Sequence, residues 1–147
     1  MLTRDPFEEL VGSVVLEATP RRAVVEQPPL ELLENYAGTV HAGALFNVGY
    51  AASRALIGAA LGRRAADAEA TLVDSDVSFE KAVVGEAVIA TAEPAADGWD
   101  ALLERLGSGE SLVLPVRLTL RNGAGKTVTS MSISWRVSLP TQSRDDN

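Results

Sequence analysis

The sequence predicts an α+β fold in which one antiparallel sheet wraps around a single long central helix. Residues 42–61 form a proline-free, alanine-rich run whose apolar side chains would lie nearly all round a helix, which is typical of a helix buried in a core. Two strand-like segments precede this run and four follow it, without a second long helical segment. The 147 residues suffice for one such domain. We expect it to span residues 1–140, with residues 141–147 as a polar tail.

The segment before the central helix predicts a short helix and then two strands. Asp5 is a good helix cap, and Pro6 suits a first helical position because its missing N–H would have no partner there. The two strands and a single helical turn that follows them are expected at residues 14–18, 23–27 and 30–34.

The segment after the central helix predicts a mainly β structure. Gly62 suits the end of the helix. Four strands in a meander are expected at residues 71–79, 83–93, 111–121 and 127–138. A short amphipathic helix at residues 97–107 separates the second of these strands from the third, and the Asn-Gly-Ala-Gly turn at 122–125 joins the last two.

Composition excludes several functional classes. Because the chain has no cysteine and one histidine, thiolate zinc sites and disulfides are excluded, and a metal site is not expected. A net charge of −7 disfavours nucleic acid and anionic membranes as partners. The first residues lack a signal-peptide profile, and polar side chains interrupt the longest apolar run. We therefore expect a cytoplasmic protein that does not span a membrane.

The most informative motif lies at the start of the central helix. This segment has the spacing Asn-x-x-Gly-x-x-His-Ala-Gly, formed by Asn35, Gly38, His41, Ala42 and Gly43. The long helix is predicted to begin within it. The pattern resembles the Asn-x-x-Gly-x-x-His-Gly-Gly motif of hotdog-fold thioesterases, especially the phenylacetate-pathway type. The segment 77–85, with its aromatic, basic and glycine residues in that order, is similar to that family's next strand. The helix at 97–107 is similar to one in an uncharacterised thioesterase-like branch of the superfamily.

The resemblance implies a hotdog fold and a site that holds a thioester of coenzyme A or of an acyl carrier. Coenzyme A would then belong to the substrate, and no separate cofactor is expected. The first-turn N–H groups of Ala42 and Gly43 would polarise the thioester carbonyl, because a helix start carries free donors and a positive dipole end. Asn35 would orient the carbonyl or the attacking water, or else only cap the loop, and His41 would hold the loop and helix start. The family acts as a homodimer or homotetramer, with the site completed across an interface.

One position departs from the family pattern. Nine residues after His41, where the family carries Asp or Glu, this chain has Tyr50, and no acidic residue occurs within residues 42–61. Tyrosine is a poor base near neutrality. Asn47, Tyr50 and Arg54 share a helix face by their spacing and are expected to form the floor of the site. Alternatively, Tyr50 and Arg54 contact a second copy of the chain.

Other candidates for substrate contact stand on the same helix and on the strand after it. Ser53 is a possible nucleophile, but there is no second histidine to activate it. Asp74 and Asp76, which flank Ser75, and the following Glu80 are either substitute carboxylates or solvated edge residues. Lys81 is either a ligand for coenzyme A phosphates or a solvated cation. Two functions remain open: a thioesterase, or a non-catalytic acyl-thioester binding module. A dehydratase of the same fold is disfavoured, because nothing completes the required histidine–acid pair.

Overall fold

The computed structural model describes residues 5–107 and 109–141 of the chain, so the predicted polar tail lies outside the described residues except for Thr141. Its α-helices are α1 (Pro6–Val11), α2 (Ala42–Leu61) and α3 (Trp99–Glu104). Its strands are β1 (Val14–Ala18), β2 (Ala23–Gln27), β3 (Glu69–Phe79), β4 (Val88–Pro94), β5 (Ser111–Arg121) and β6 (Thr127–Ser138). Short 3-10 turns occupy Glu31–Leu33 and Gly62–Ala66.

The six strands form one antiparallel sheet in the order β1-β2-β4-β5-β6-β3. The expected meander of the last four strands is wrong in one respect, because β3 pairs with β6 and not with β4. The long helix between β2 and β3 carries the chain across the sheet, so the chain re-enters at the opposite edge. β1 and β3 are therefore the two edge strands.

Helix α2 lies against the sheet and supplies much of the core. Its buried residues are Leu45, Val48, Gly49, Ala51, Ala52, Ser53, Leu56, Ile57 and Leu61. Helix α2 and strand β6 lie close together at Gly49, because a Cβ atom there would be 2.5 Å from the Met131 sulfur on β6. Although residues 42–66 are long and apolar enough for a membrane span, 56% of their most apolar window is buried inside the protein. This burial explains why apolar residues surround the helix.

The predicted bounds differ most from the structure at β4 and α3. The strand predicted from residue 83 begins at Val88, because the backbone turns at Gly85 (φ 63°) and the Val83 carbonyl accepts the Val40 N–H at 2.9 Å. The helix predicted over residues 97–107 is limited to Trp99–Glu104. Residues 83–87 thus form a loop tied to the start of α2.

Candidate functional site

The loop before α2 is shaped by the side chain of Asn35. Its carbonyl oxygen accepts the N–H groups of Ala37 (2.9 Å) and Thr39 (3.2 Å), and its amide nitrogen donates to the Thr39 hydroxyl at 2.8 Å. The backbone adds a 2.8 Å bond from the Asn35 N–H to the Thr39 carbonyl. Asn35 therefore acts as the loop cap; its predicted contact with substrate stays a prediction.

His41 caps helix α2 with its imidazole ring. The ring Nδ1 accepts the Gly43 N–H at 2.9 Å, and the His41 N–H donates to the Leu33 carbonyl at 2.8 Å. In a neutral ring whose Nδ1 accepts a hydrogen bond, the proton is on Nε2. His41 therefore ties the preceding loop to the first turn of α2; its predicted place beside a bound thioester stays a prediction. The expectation of a free Gly43 N–H is wrong here, because the histidine beside it uses that donor.

Ala42 provides the free donor at the helix start. The N–H groups of Ala44 and Leu45 donate to the His41 carbonyl at 2.9 and 3.1 Å. Within residues 5–107 and 109–141, the Ala42 N–H has no hydrogen-bond partner. One unpaired N–H at the positive end of a 20-residue helix is a suitable donor for a carbonyl oxygen or an oxyanion.

Two cavities flank the helix start and separate the predicted residues into two groups. Cavity A, of about 340 Å³, is lined by His41, Gly43 and Asn47 together with Phe7, Val11, Gln27, Leu32, Leu33, Glu34 and Ala44. Cavity B, of about 240 Å³, is lined by Asn35, Ala42 and Lys81 together with Val40, Leu45, Phe79, Glu80 and Ala82. The free N–H belongs to a residue of cavity B. The imidazole belongs to cavity A.

Tyr50 lies further along α2, where its ring packs on Trp135 with centroids 5.2 Å apart. The Arg54 guanidinium carbon is 5.9 Å from the Tyr50 ring centre. Burial raises the pKa of the Tyr50 phenol above its ordinary value; Arg54 opposes this shift, whereas Asp5 and Glu8 add to it. Tyr50 is therefore neutral near pH 7, and even less of it is present as the basic tyrosinate than for an exposed tyrosine.

Ser53 is a structural residue, which corrects its assignment to substrate binding. It is fully buried; its hydroxyl donates to the Tyr50 carbonyl at 2.8 Å and accepts the Trp135 indole N–H at 2.8 Å. Neither a substrate nor water reaches it. A serine mechanism at this position has no geometric basis.

Arg54 joins α2 to α1 and does not line either cavity. Its guanidinium lies 3.0 Å from the Glu8 carboxylate and 3.8 Å from that of Asp5, and the Arg54 side chain is only 14% exposed. The predicted polar stripe exists, but α1 covers part of it. Arg54 thereby holds the helix that carries Phe7 and Val11 to the wall of cavity A.

The β3 candidates differ in orientation. Asp74 pairs with Ser134 and Ser75 with buried Ile133, so Ser75 is on the helix side of the sheet and Asp74 on the outer side. Both are exposed. Asp74 lines neither of the two cavities flanking the start of α2; its predicted contact with substrate stays a prediction. Lys81 follows β3 and lines cavity B; its predicted contact with coenzyme A phosphates stays a prediction.

The sequence reasoning missed Gln27 and Glu34, which line cavity A. It considered Glu80 with Asp74 and Asp76 as a substitute carboxylate but did not select it; Glu80 is among the residues that line cavity B. Gln27 is buried; its amide nitrogen donates to the Val11 carbonyl at 2.7 Å, which fixes the end of α1. No sequence pattern pointed to that contact.

This architecture and the site at the helix start define a hotdog-fold protein. Similar solved structures include a mutant of the phenylacetic acid degradation protein PaaI from Thermus thermophilus, with 21% identity and a TM-score of 0.70 over 92% of this chain and 100% of that one. Thioesterase HI1161 from Haemophilus influenzae is 12% identical, with a TM-score of 0.75 over 94% and 86% of the two chains. A hypothetical thioesterase protein from Streptococcus pneumoniae, solved with coenzyme A, is 15% identical, with a TM-score of 0.68 over 88% of each chain. The predicted fold is confirmed.

At the level of sequence, the chain belongs to the family of the domain of unknown function DUF4442, whose model matches residues 1–137. A comparison with curated proteins finds no match.

Proposed function

We propose that this protein hydrolyses an acyl thioester of coenzyme A or of an acyl-carrier protein. The observation that carries the proposal is the unpaired Ala42 N–H at the start of α2, beside cavity B. A thioester carbonyl placed there would accept this bond, which strengthens as the oxygen becomes an oxyanion. The shared fold with proteins called thioesterases, one of them solved with coenzyme A, supports the same class.

Lys81 suits the thiol part of such a substrate. Its ammonium group makes no ion pair among the described residues, and it lines the cavity that contains the donor. In a chain of net charge −7, a local cation is needed to hold the anionic phosphates of coenzyme A or of a carrier arm. Cavity A, with its mostly apolar wall, suits the acyl group.

We also propose that the protein acts in the cytoplasm as a homodimer or a larger homo-oligomer. The two edge strands expose apolar side chains: Val14, Val15 and Leu16 on β1, and Val73 and Phe79 on β3. Pairing of an edge with a second copy would cover these side chains and the unpaired backbone groups. Measurement of the molar mass in solution tests this part: a monomer at micromolar concentration would refute it.

A non-catalytic thioester-binding module is the second candidate. It is favoured by the absence of any acidic residue on α2 and by the raised pKa of Tyr50. In that case the cavities and the donor bind the thioester but no group activates water.

Hydrolysis of a panel of short, aromatic and long acyl-coenzyme A esters distinguishes the two candidates. We expect turnover well above the uncatalysed rate, with loss of activity in Asn35→Ala because the loop before α2 loses its cap. Saturable binding of coenzyme A analogues without turnover of any ester would refute hydrolysis and support the binding module. If Tyr50→Asp alone is active, only the helix carboxylate is missing.

A further inference from the structure

Cavity A has a buried hydrogen-bond acceptor among the residues of its wall. Gln27, the last residue of β2, is 3% exposed and lines this cavity. Its amide nitrogen donates to the Val11 carbonyl at 2.7 Å and to the Pro28 carbonyl at 3.2 Å. Its amide oxygen, Oε1, is buried and accepts no hydrogen bond from the described residues. The amide is therefore held at its nitrogen and unpaired at its oxygen.

The two partners of the nitrogen determine which end of the Gln27 amide is the oxygen. If the amide were turned by 180°, its oxygen would face the Val11 and Pro28 carbonyl oxygens, which accept hydrogen bonds and cannot donate them. The unpaired atom is thus an acceptor. Because a buried acceptor without a donor has lost its bonds to water, a donor on a bound molecule would restore what burial removed.

Gln27 lies on the same side of the sheet as α2. It pairs with buried Val88 on β4, and side chains of directly paired residues point to the same face. Cavity A also includes Gly43, Ala44 and Asn47 of α2, so it lies between the end of β2 and the start of the helix. Gly43 directly follows Ala42, the donor residue of cavity B, so an acyl group whose carbonyl contacts the Ala42 N–H lies next to cavity A.

The other residues of the wall favour a neutral hydroxyl group as the donor. Phe7 and Val11 are apolar and give no compensation for a buried ammonium group. The carboxylate of Glu34, which also lines the cavity, belongs to an exposed residue. Asn47 is half-buried, and its amide makes no hydrogen bond among the described residues. A hydroxyl group can donate to Gln27 Oε1 and accept from the Asn47 amide, whereas an ammonium group can only donate.

We propose that Gln27 determines substrate specificity by accepting a hydrogen bond from a hydroxyl group on the acyl part of the thioester. This inference rests on the proposed function and names hydroxyacyl thioesters as the substrate class. An ester with the hydroxyl group pairs the buried Oε1. The same ester without it leaves that oxygen unpaired, which is how a polar site rejects an apolar analogue.

Matched coenzyme A esters test this specificity without any mutation. Straight-chain acyl groups of one length are compared with and without a hydroxyl group, which is placed at successive carbons along the chain. We expect kcat/KM for the best hydroxyl isomer to exceed that for the unsubstituted ester about 10–100-fold. The methoxy ester at the same carbon has an oxygen but no proton to donate, so it should be no better than the unsubstituted ester.

Gln27→Met assigns the preference to the amide oxygen, because methionine is of similar length and has no such acceptor. The ratio of kcat/KM between the hydroxyl and unsubstituted esters should fall close to one. This substitution also removes the bond to Val11, so the control must loosen α1 and keep the acceptor. Arg54→Met does so, because it breaks the Glu8 ion pair and Arg54 lines neither cavity. It should keep the parent ratio.

The possible failures of this inference and of the proposed function can be told apart. Equal hydrolysis of all hydroxyl isomers and the unsubstituted ester by the parent would overturn the specificity and leave hydrolysis standing. So would a parent-like ratio in folded Gln27→Met, or a ratio lost equally in Arg54→Met, which would assign the preference to the position of α1. A parent that hydrolyses no ester would overturn the proposed function and this inference with it.

Discussion

The imidazole Nδ1 of His41 accepts the Gly43 N–H at 2.9 Å, so the only histidine of the chain is the cap of its central helix. This bond uses one of the two donors expected at the helix start and leaves the Ala42 N–H as the free one. The histidine therefore has a structural role at the helix start, which the next prediction separates from a role in the chemistry.

Replacement of His41 should separate capping from chemistry. His41→Asn retains a side-chain acceptor at the cap and should keep stability within about 0.5 kcal/mol of the parent, with hydrolysis within a few-fold. His41→Ala should lose about 1 kcal/mol of unfolding free energy, a typical cost for a lost cap. Urea denaturation and steady-state kinetics measure both. A fully stable His41→Asn variant that had lost hydrolysis by more than 100-fold would show that the imidazole takes part in the chemistry.

The Ser53 hydroxyl links α2 to β6 through Trp135, and its removal should destabilise the fold without affecting the chemical step. Ser53→Ala leaves the buried indole N–H without an acceptor, which costs about 1–3 kcal/mol. In the background Trp135→Phe, which has no N–H, Ser53→Ala should cost clearly less. Equal losses of unfolding free energy in the two backgrounds would contradict a stabilising hydrogen bond between Ser53 and Trp135. A loss of kcat in folded Ser53→Ala would support the serine mechanism.

The Arg54 ion pair should hold α1 in place. Arg54→Met removes a charged hydrogen bond to Glu8 in a largely buried setting, which should lower the unfolding free energy by about 1.5–3 kcal/mol. Amide exchange at residues 9–13 should accelerate more than in the sheet. Arg21→Met is the control, because Arg21 and Asp100 form an exposed pair worth less than about 0.5 kcal/mol. Unchanged exchange in α1 would exclude the anchoring role.

Tyr50 should titrate at higher pH in the folded protein than in the unfolded chain. The chain has two tyrosines, so Tyr36→Phe leaves Tyr50 as the only source of tyrosinate absorbance. In this variant the absorbance should appear at higher pH without urea than in concentrated urea, because burial raises the pKa of Tyr50. The native state holds this proton more tightly than the unfolded state, so the stabilisation is present below about pH 10 and is lost as the pH rises through the folded pKa. Coincident titrations would contradict the burial of the Tyr50 phenol.

The sequence predicted the elements better than the site. The bounds of α2 followed from a proline-free run that ends at Gly62. The φ of Gly62 is 57°, a positive value that glycine adopts without the steric strain of other residues. The pairing of β3 with β6 depends on how the chain crosses the sheet, which no local pattern records. The motif predicted a single site at the start of α2, whereas in the structure Asn35 and Ala42 line one cavity and His41 and Gly43 line the other. Which N–H stays free depends on the orientation of one imidazole ring, so it required the structure.

The Ala42 N–H can be removed without breaking the helix. Ala42 is the first residue of α2, a position where proline is favoured, and His41 has φ −59° and ψ 138°, the extended geometry that proline requires before it. Ala42→Pro therefore deletes the donor alone, whereas Ala42→Ser keeps it and serves as the control.

The measurement that tests the central claim most directly is the kcat of Ala42→Pro on the best ester of the panel. With the fold retained and Ala42→Ser close to the parent, the loss of one oxyanion donor should lower kcat about 10²–10³-fold. A stable Ala42→Pro variant that hydrolyses the ester at the parent rate would contradict the claim that the start of α2 binds the reacting carbonyl.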